Sequence, residues 1–93
     1  MKLHFEWDPN KAVKNINQHR VSFDEAATVF GDPTFITFVD EEHSIDEERY
    51  ITIGLSKSGR LLMVAHTDHH EEIRIVSARP ATRREEQFYA KGE

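Results

Sequence analysis

A chain of 93 residues can bury one core of modest stability, so residues 1–93 are expected to form a single domain with no room for a second. A composition of 38% hydrophobic and 31% charged residues excludes a disordered chain, and the absence of cysteine excludes disulfides and thiolate metal sites. The net charge of −5 argues at first against a nucleic-acid binder, but residues 40–48 (DEEHSIDEE) hold six acids and no Lys or Arg, which leaves eleven acids against twelve bases elsewhere and a basic C-terminal third.

In chain order, residues 3–7 (LHFEW) alternate apolar and polar as a short strand. Asp8-Pro9 reads as N-cap and first residue of a helix that runs to about His19, with Ala12, Ile16 and His19 on its inner face. Ser22 and Glu25 have capping-box spacing, with Val21 as the staple residue; the short helix Phe23–Phe30 buries Phe23, Ala26, Ala27 and Phe30 and stops at Gly31. Strands follow at Phe35–Val39, at Arg49–Ser56 with Tyr50, Thr52 and Gly54 facing away from Ile51, Ile53 and Leu55, at Arg60–Thr67 after the turn Lys57-Ser58-Gly59, and at Glu72–Arg79 after the turn Asp68–Glu71. Pro80 breaks the last strand, and Thr82 with Glu85 starts a helix to about Ala90. The order β-α-α-β-β-β-β-α predicts an α+β domain built on an antiparallel sheet. The opening MKLHFEWD lacks an apolar run of signal-peptide length and no stretch approaches a membrane span, so a cytoplasmic protein without membrane association is expected.

Four arginines, Arg74, Arg79, Arg83 and Arg84, fall within eleven residues. Arg83 and Arg84 occupy the first turn of a helix, where the dipole favours anions. A phosphate bound there would reconcile them with that position, because guanidinium forks and helix N-terminal amides both bind it; the alternative is that they are solvated or pair with Glu85 and Glu86. Strict alternation places Ile73, Ile75, Ser77 and Arg79 on one face of the last strand and Arg74, Val76 and Ala78 on the other, so Arg79 would join Arg83 and Arg84 while Arg74 lies across the sheet. His66, Asp68, His69 and His70 crowd a hairpin, yet adjacent imidazoles diverge and turn tips are exposed, so no metal site is expected. His66 reads as a hydrogen-bonded structural residue, with proton transfer the alternative. Glu47, Glu48 and Arg49 mark a strand entrance where a carboxylate beside Arg49 and Tyr50 could serve as general base. No GxSxG, P-loop, HExxH or EF-hand loop occurs.

The segments FEWDPNKAVKNINQHRVSFDEAATVFGDP, DEERYITIG and IRIVSARPATRREEQFYA, in that order over about residues 5–90, resemble the BrnT-type ribonuclease toxins of bacterial type II toxin–antitoxin systems. The resemblance implies a compact RelE-like fold, inhibition of translation by RNA cleavage without a metal or other cofactor, and a BrnA-like antitoxin that blocks the toxin, forms a heterotetramer with it and brings it to operator DNA. Carried onto this chain, it assigns Arg79 and Arg83 to the scissile phosphate, Glu48 or His19 to proton acceptance, and Arg84, Arg49, Ser77 and Tyr89 to substrate binding, with Tyr89 also a candidate proton donor to the leaving oxygen. Arg20 stands where the family commonly has Gly, a position suited to a left-handed helix cap. Two other readings are a degenerate toxin-fold module acting only in antitoxin binding and operator autoregulation, and an unrelated small nucleic-acid-binding domain. The acidic run 40–48 is a candidate contact for a basic antitoxin segment.

Overall fold

Local caps fix the helices. Asp8 accepts a hydrogen bond from the Asn10 amide at 2.8 Å and Pro9 needs no donor at the first position, so α1 (Pro9–His19) starts where the sequence indicates. The structure, a computed structural model, describes residues 3–92. The other elements are β1 (His4–Glu6), α2 (Phe23–Ala27), a 3₁₀ turn (Thr28–Gly31), β2 (Ile36–Val39), a second 3₁₀ turn (Glu41–His43), β3 (Tyr50–Leu55), β4 (Leu61–His69), β5 (Glu72–Pro80) and α3 (Arg83–Lys91). Ser22 caps α2 through the Glu25 amide, but the expected helix over residues 23–30 tightens into the 3₁₀ turn after Ala27. Gly31 is not at positive φ; Asp32 ends the segment instead.

The five strands form one sheet in the order β1-β5-β4-β3-β2. Strands β2 to β5 are antiparallel, as expected, but β1 runs parallel to β5, pairing Phe5 with Ile73, so the sheet is mixed rather than purely antiparallel. Alternation in the sequence says which side of a strand is buried and nothing about its direction, and β1 has no hairpin to fix it. The β4–β5 turn is also tighter than expected: β4 extends through His69, and His70 turns the chain at φ 59°.

The two faces of the sheet carry separate cores. On one, Leu62, Val64, Ile73, Ile75 and Ala78 pack against Val21, Phe23, Ala26 and Val29 from the α1–α2 side, with Phe5 and Trp7 closing the rim. On the other, Ile53, Met63 and Ala65 meet Ile51, Leu61, Val76 and, from α3, Tyr89. Gly54 lies in β3 because the first layer presses on it: a Cβ there would sit 2.7 Å from Val29 Cγ1 and 3.0 Å from Phe35 Cβ.

The α1 stripe differs from the sequence pattern. Ile16 is 43% exposed, and the buried residue is Asn15, at 5%. Its amide Nδ2 donates to the carbonyls of Val21 (2.9 Å) and Ala78 (2.8 Å), and its Oδ1 accepts from the Ala78 amide at 3.1 Å. A polar residue thus fastens α1 to β5 by backbone recognition that apolar periodicity does not register. Arg20 caps α1 at φ 60°, ψ 33°, the left-handed conformation, at a cost of about 1 kcal/mol relative to Gly. Its carbonyl is held at 2.9 Å by Arg60 Nη2, while Arg60 also grips Glu25 at 2.6 Å.

Candidate nucleic-acid interface

A bulge determines which arginines share a face. Ala65 pairs with Ser77 but His66 pairs with Ile75, so Val76 is one residue too many and the alternation of β5 shifts there. Ile73, Ile75 and Ala78 therefore all belong to the α1–α2 core. Arg79 opposes Met63, Ser77 opposes Ala65 and Arg74 opposes Thr67, and these three β4 residues alternate on the α3 side. The expectation that Arg74 lies across the sheet from Arg79 is corrected: the bulge returns it to the same face, together with Ser77.

Arg79 is held by α3. Its Nη1 and Nη2 each donate to one oxygen of Glu85 at 2.9 Å, and Nη1 also reaches the Pro80 carbonyl at 3.2 Å. Glu85 at the same time accepts from the Thr82 amide at 2.9 Å, completing the capping box. Burial pushes the Glu85 carboxyl up, but the Arg79 fork and the Thr82 amide outweigh it and hold the group below the usual carboxylate range. Glu85 is thus committed to Arg79, and among the described residues neither Arg83 nor Arg84 forms an ion pair with it. Arg83 and Arg84 are exposed, and Arg84 lies 6.0 Å from the centre of the Phe88 ring.

The remaining site candidates divide between locations. Tyr89 donates to Asp32 Oδ2 at 2.6 Å and lies 2.8 Å from Thr34 Oγ1, which ties α3 to the start of β2. Burial raises the Asp32 carboxyl, yet bonds from Tyr89 and from the Leu55 and Thr34 amides leave it lowered to about 2. Arg49 lies at the entrance to β3, and its Nε is buried without a partner. Glu48 is exposed and accepts from the Tyr50 hydroxyl at 2.9 Å. His19 ends α1, which packs on β5 from the face opposite Arg79. The structure gathers Arg79 with Ser77 and the α3 residues and leaves His19 apart. Thr67 and Arg74, which sequence reasoning did not place here, stand on the same face as Arg79; the facing of Thr67 follows from the alternation of β4, whereas that of Arg74 depends on the bulge, which has no local signature.

Of the histidines in the hairpin, His66 is 1% exposed, with Nε2 2.7 Å from Thr52 Oγ1 and Nδ1 2.7 Å from Asp68 Oδ1. Its ring packs edge-on against Phe30 and stacks on Tyr50. Burial lowers its pKa from 6.5, with Asp68 pulling the other way. A base kept neutral by folding leaves stability undiminished above 6.5; as the pH falls below that value the unfolded chain takes up the proton first and stability is lost. The melting temperature should therefore fall between pH 7 and 5, and the slope should flatten in His66→Gln; an unchanged slope would assign the effect to other groups. Glu25, lowered from 4.5 to about 2 chiefly by Arg60, acts in a separate and more acidic window, retaining its contribution above 4.5. His69 pairs with Glu47 on the surface. Among the described residues Asp40, Glu42 and His43 bring ligand atoms within 4.8 Å of one another, on an exposed turn where His43 is already bonded to Asp40. No helix among them is long and apolar enough to cross a membrane.

A family model described as the ribonuclease toxin BrnT of type II toxin–antitoxin systems matches residues 7–85. The fold is similar to the crystal structure of the Brucella abortus ribonuclease toxin BrnT, with a TM-score of 0.66 and 18% identity over 88% of this chain and 100% of that one. At that identity the structural likeness speaks for the α+β fold alone. No curated protein matches the sequence.

Proposed function

Because this chain belongs to the BrnT family of ribonuclease toxins of type II toxin–antitoxin systems, we propose that it is an endoribonuclease that arrests translation by cleaving RNA without a metal. In the same reading a BrnA-like antitoxin neutralises it in the cytoplasm, in a heterotetramer that binds operator DNA through the antitoxin. The observation that supports it best is the geometry of Arg79. A guanidinium has five N–H donors; Glu85 and the Pro80 carbonyl take three, which leaves Nε–H and one Nη2–H on a group already fixed in place.

In this mechanism the 2′-hydroxyl attacks the adjacent phosphorus, and charge gathers on the phosphorane oxygens as the 5′-oxygen leaves. Arg79 and Arg83 hold that phosphate, Arg84 steers the strand, and Arg49 and Ser77 bind its flanks. Glu48 or His19 accepts the 2′ proton. Tyr89, committed to Asp32 and Thr34, acts by holding α3 against the sheet rather than by donating a proton.

The non-catalytic module is favoured by one observation, the neutralisation of Arg79 by Glu85. Incubation of the purified protein with RNA, with and without a chelator, separates the two. Fragments ending in 2′,3′-cyclic phosphate, formed equally with chelator and suppressed by the antitoxin, are expected of the ribonuclease. Intact RNA with folded protein that still binds antitoxin would establish the module.

A further inference from the structure

We propose that Thr67 and Arg49 form a second phosphate subsite for RNA, at the end of the sheet face that α3 leaves open; the inference rests on the ribonuclease reading. Thr67 is 6% exposed, and its hydroxyl has no hydrogen-bond partner. Arg49 Nε–H is buried and equally without one. Both residues line one surface cavity of about 350 Å³. Thr67 also pairs across the strands with Arg74, two rungs beyond the Ser77 pair on the same face.

Buried polar groups without partners are rare in folded proteins, and those that persist mark places completed by something else. The chemistry of that something is restricted. Arg49 Nε can only donate, and the Thr67 hydroxyl can donate, so an oxyanion suits both. Arg74 beside Thr67 supplies further positive charge, its own pairing with Glu6 being exposed and long at 3.5 Å. The strand bearing Arg74, Ser77 and Arg79 then offers one polyanion several contacts in line.

The far wall of the cavity is acidic, with Glu42, Asp46 and Glu47. These carboxylates repel an isolated phosphate. A nucleic-acid strand overcomes them because its other phosphates are held at Arg79 and Arg74, which makes occupation of this subsite an intramolecular event. The site should therefore take an oligonucleotide and refuse inorganic phosphate.

Binding of a fluorescent 2′-O-methyl RNA, which cannot be cleaved through its 2′-oxygen, tests this at fixed salt by anisotropy. Thr67→Val should weaken binding about tenfold, the loss of one hydrogen bond to a charged group, while Thr67→Ser keeps it. The melting temperature of Thr67→Val should rise, since the substitution removes a buried hydroxyl with no partner. Opposite signs for stability and binding are what a purely structural hydroxyl cannot produce. Unchanged RNA affinity in Thr67→Val overturns the subsite, as does a fall in both quantities, a loss confined to antitoxin affinity, or tight binding of inorganic phosphate. If the wild-type protein binds no RNA, the ribonuclease reading falls and this inference with it; if it binds and cleaves RNA and Thr67→Val does the same, only the inference falls.

Discussion

Arg79→Ala should lower RNA cleavage by roughly 10²–10³-fold, the usual effect of removing one group that stabilises transition-state charge. The protein should stay folded, because the Glu85 carboxylate keeps its bond from the Thr82 amide and α3 keeps its cap. Glu85→Gln supplies the contrast. It retains the Arg79 charge but weakens the clamp that orients it, so activity should fall less than in Arg79→Ala. Arg79→Lys should behave much like alanine, because an ammonium cannot fork to both Glu85 oxygens and still present two N–H groups outward. Induced expression in cells gives a second measurement, with growth arrest and RNA fragments for wild type and neither for Arg79→Ala. Cleavage by Arg79→Ala at the wild-type rate would remove Arg79 from the site and leave its pairing with Glu85 as a structural device.

The parts of this fold that the sequence revealed are those fixed within a few residues. Asp8-Pro9, Ser22 with Glu25, and Thr82 with Glu85 each set a helix start through contacts spanning no more than three positions. The facing of β3 followed from its own alternation. What the sequence hid depends on residues far apart in the chain. The parallel pairing of β1 with β5 joins residues nearly seventy positions apart. The bulge at Val76 arises from registry with β4, and it moved Arg74 to the face of Arg79 against a reading that assumed unbroken alternation. The same distinction applies to the site. The cluster around Arg79 was legible because its members are close in sequence. The grouping of Thr67 with Arg49, and the separation of His19 from them, required the sheet.

Asn15→Ala should be the most destabilising single substitution away from the apolar core. Asn15 is buried and satisfies three backbone groups, the carbonyls of Val21 and Ala78 and the Ala78 amide. Truncation strands all three, at a cost of about 1–3 kcal/mol each where water cannot reach them, and roughly 3–5 kcal/mol together once some water enters. For a domain of this size that corresponds to a fall in melting temperature of more than about 12 °C. Asn15→Leu should do no better, because matching the shape leaves the same groups unpaired, and Asn15→Asp should fail because a carboxylate cannot donate to two carbonyls. The effect should also extend to function. Ala78 lies between Ser77 and Arg79, just past the bulge, so the Asn15 amide holds the strand where the alternation has been reset. In Asn15→Ala, well below its melting temperature, amide exchange at Ala78 should quicken and cleavage should fall further than the folded fraction accounts for. If exchange at Ala78 is unchanged and activity follows the folded fraction alone, Asn15 anchors α1 without positioning Arg79.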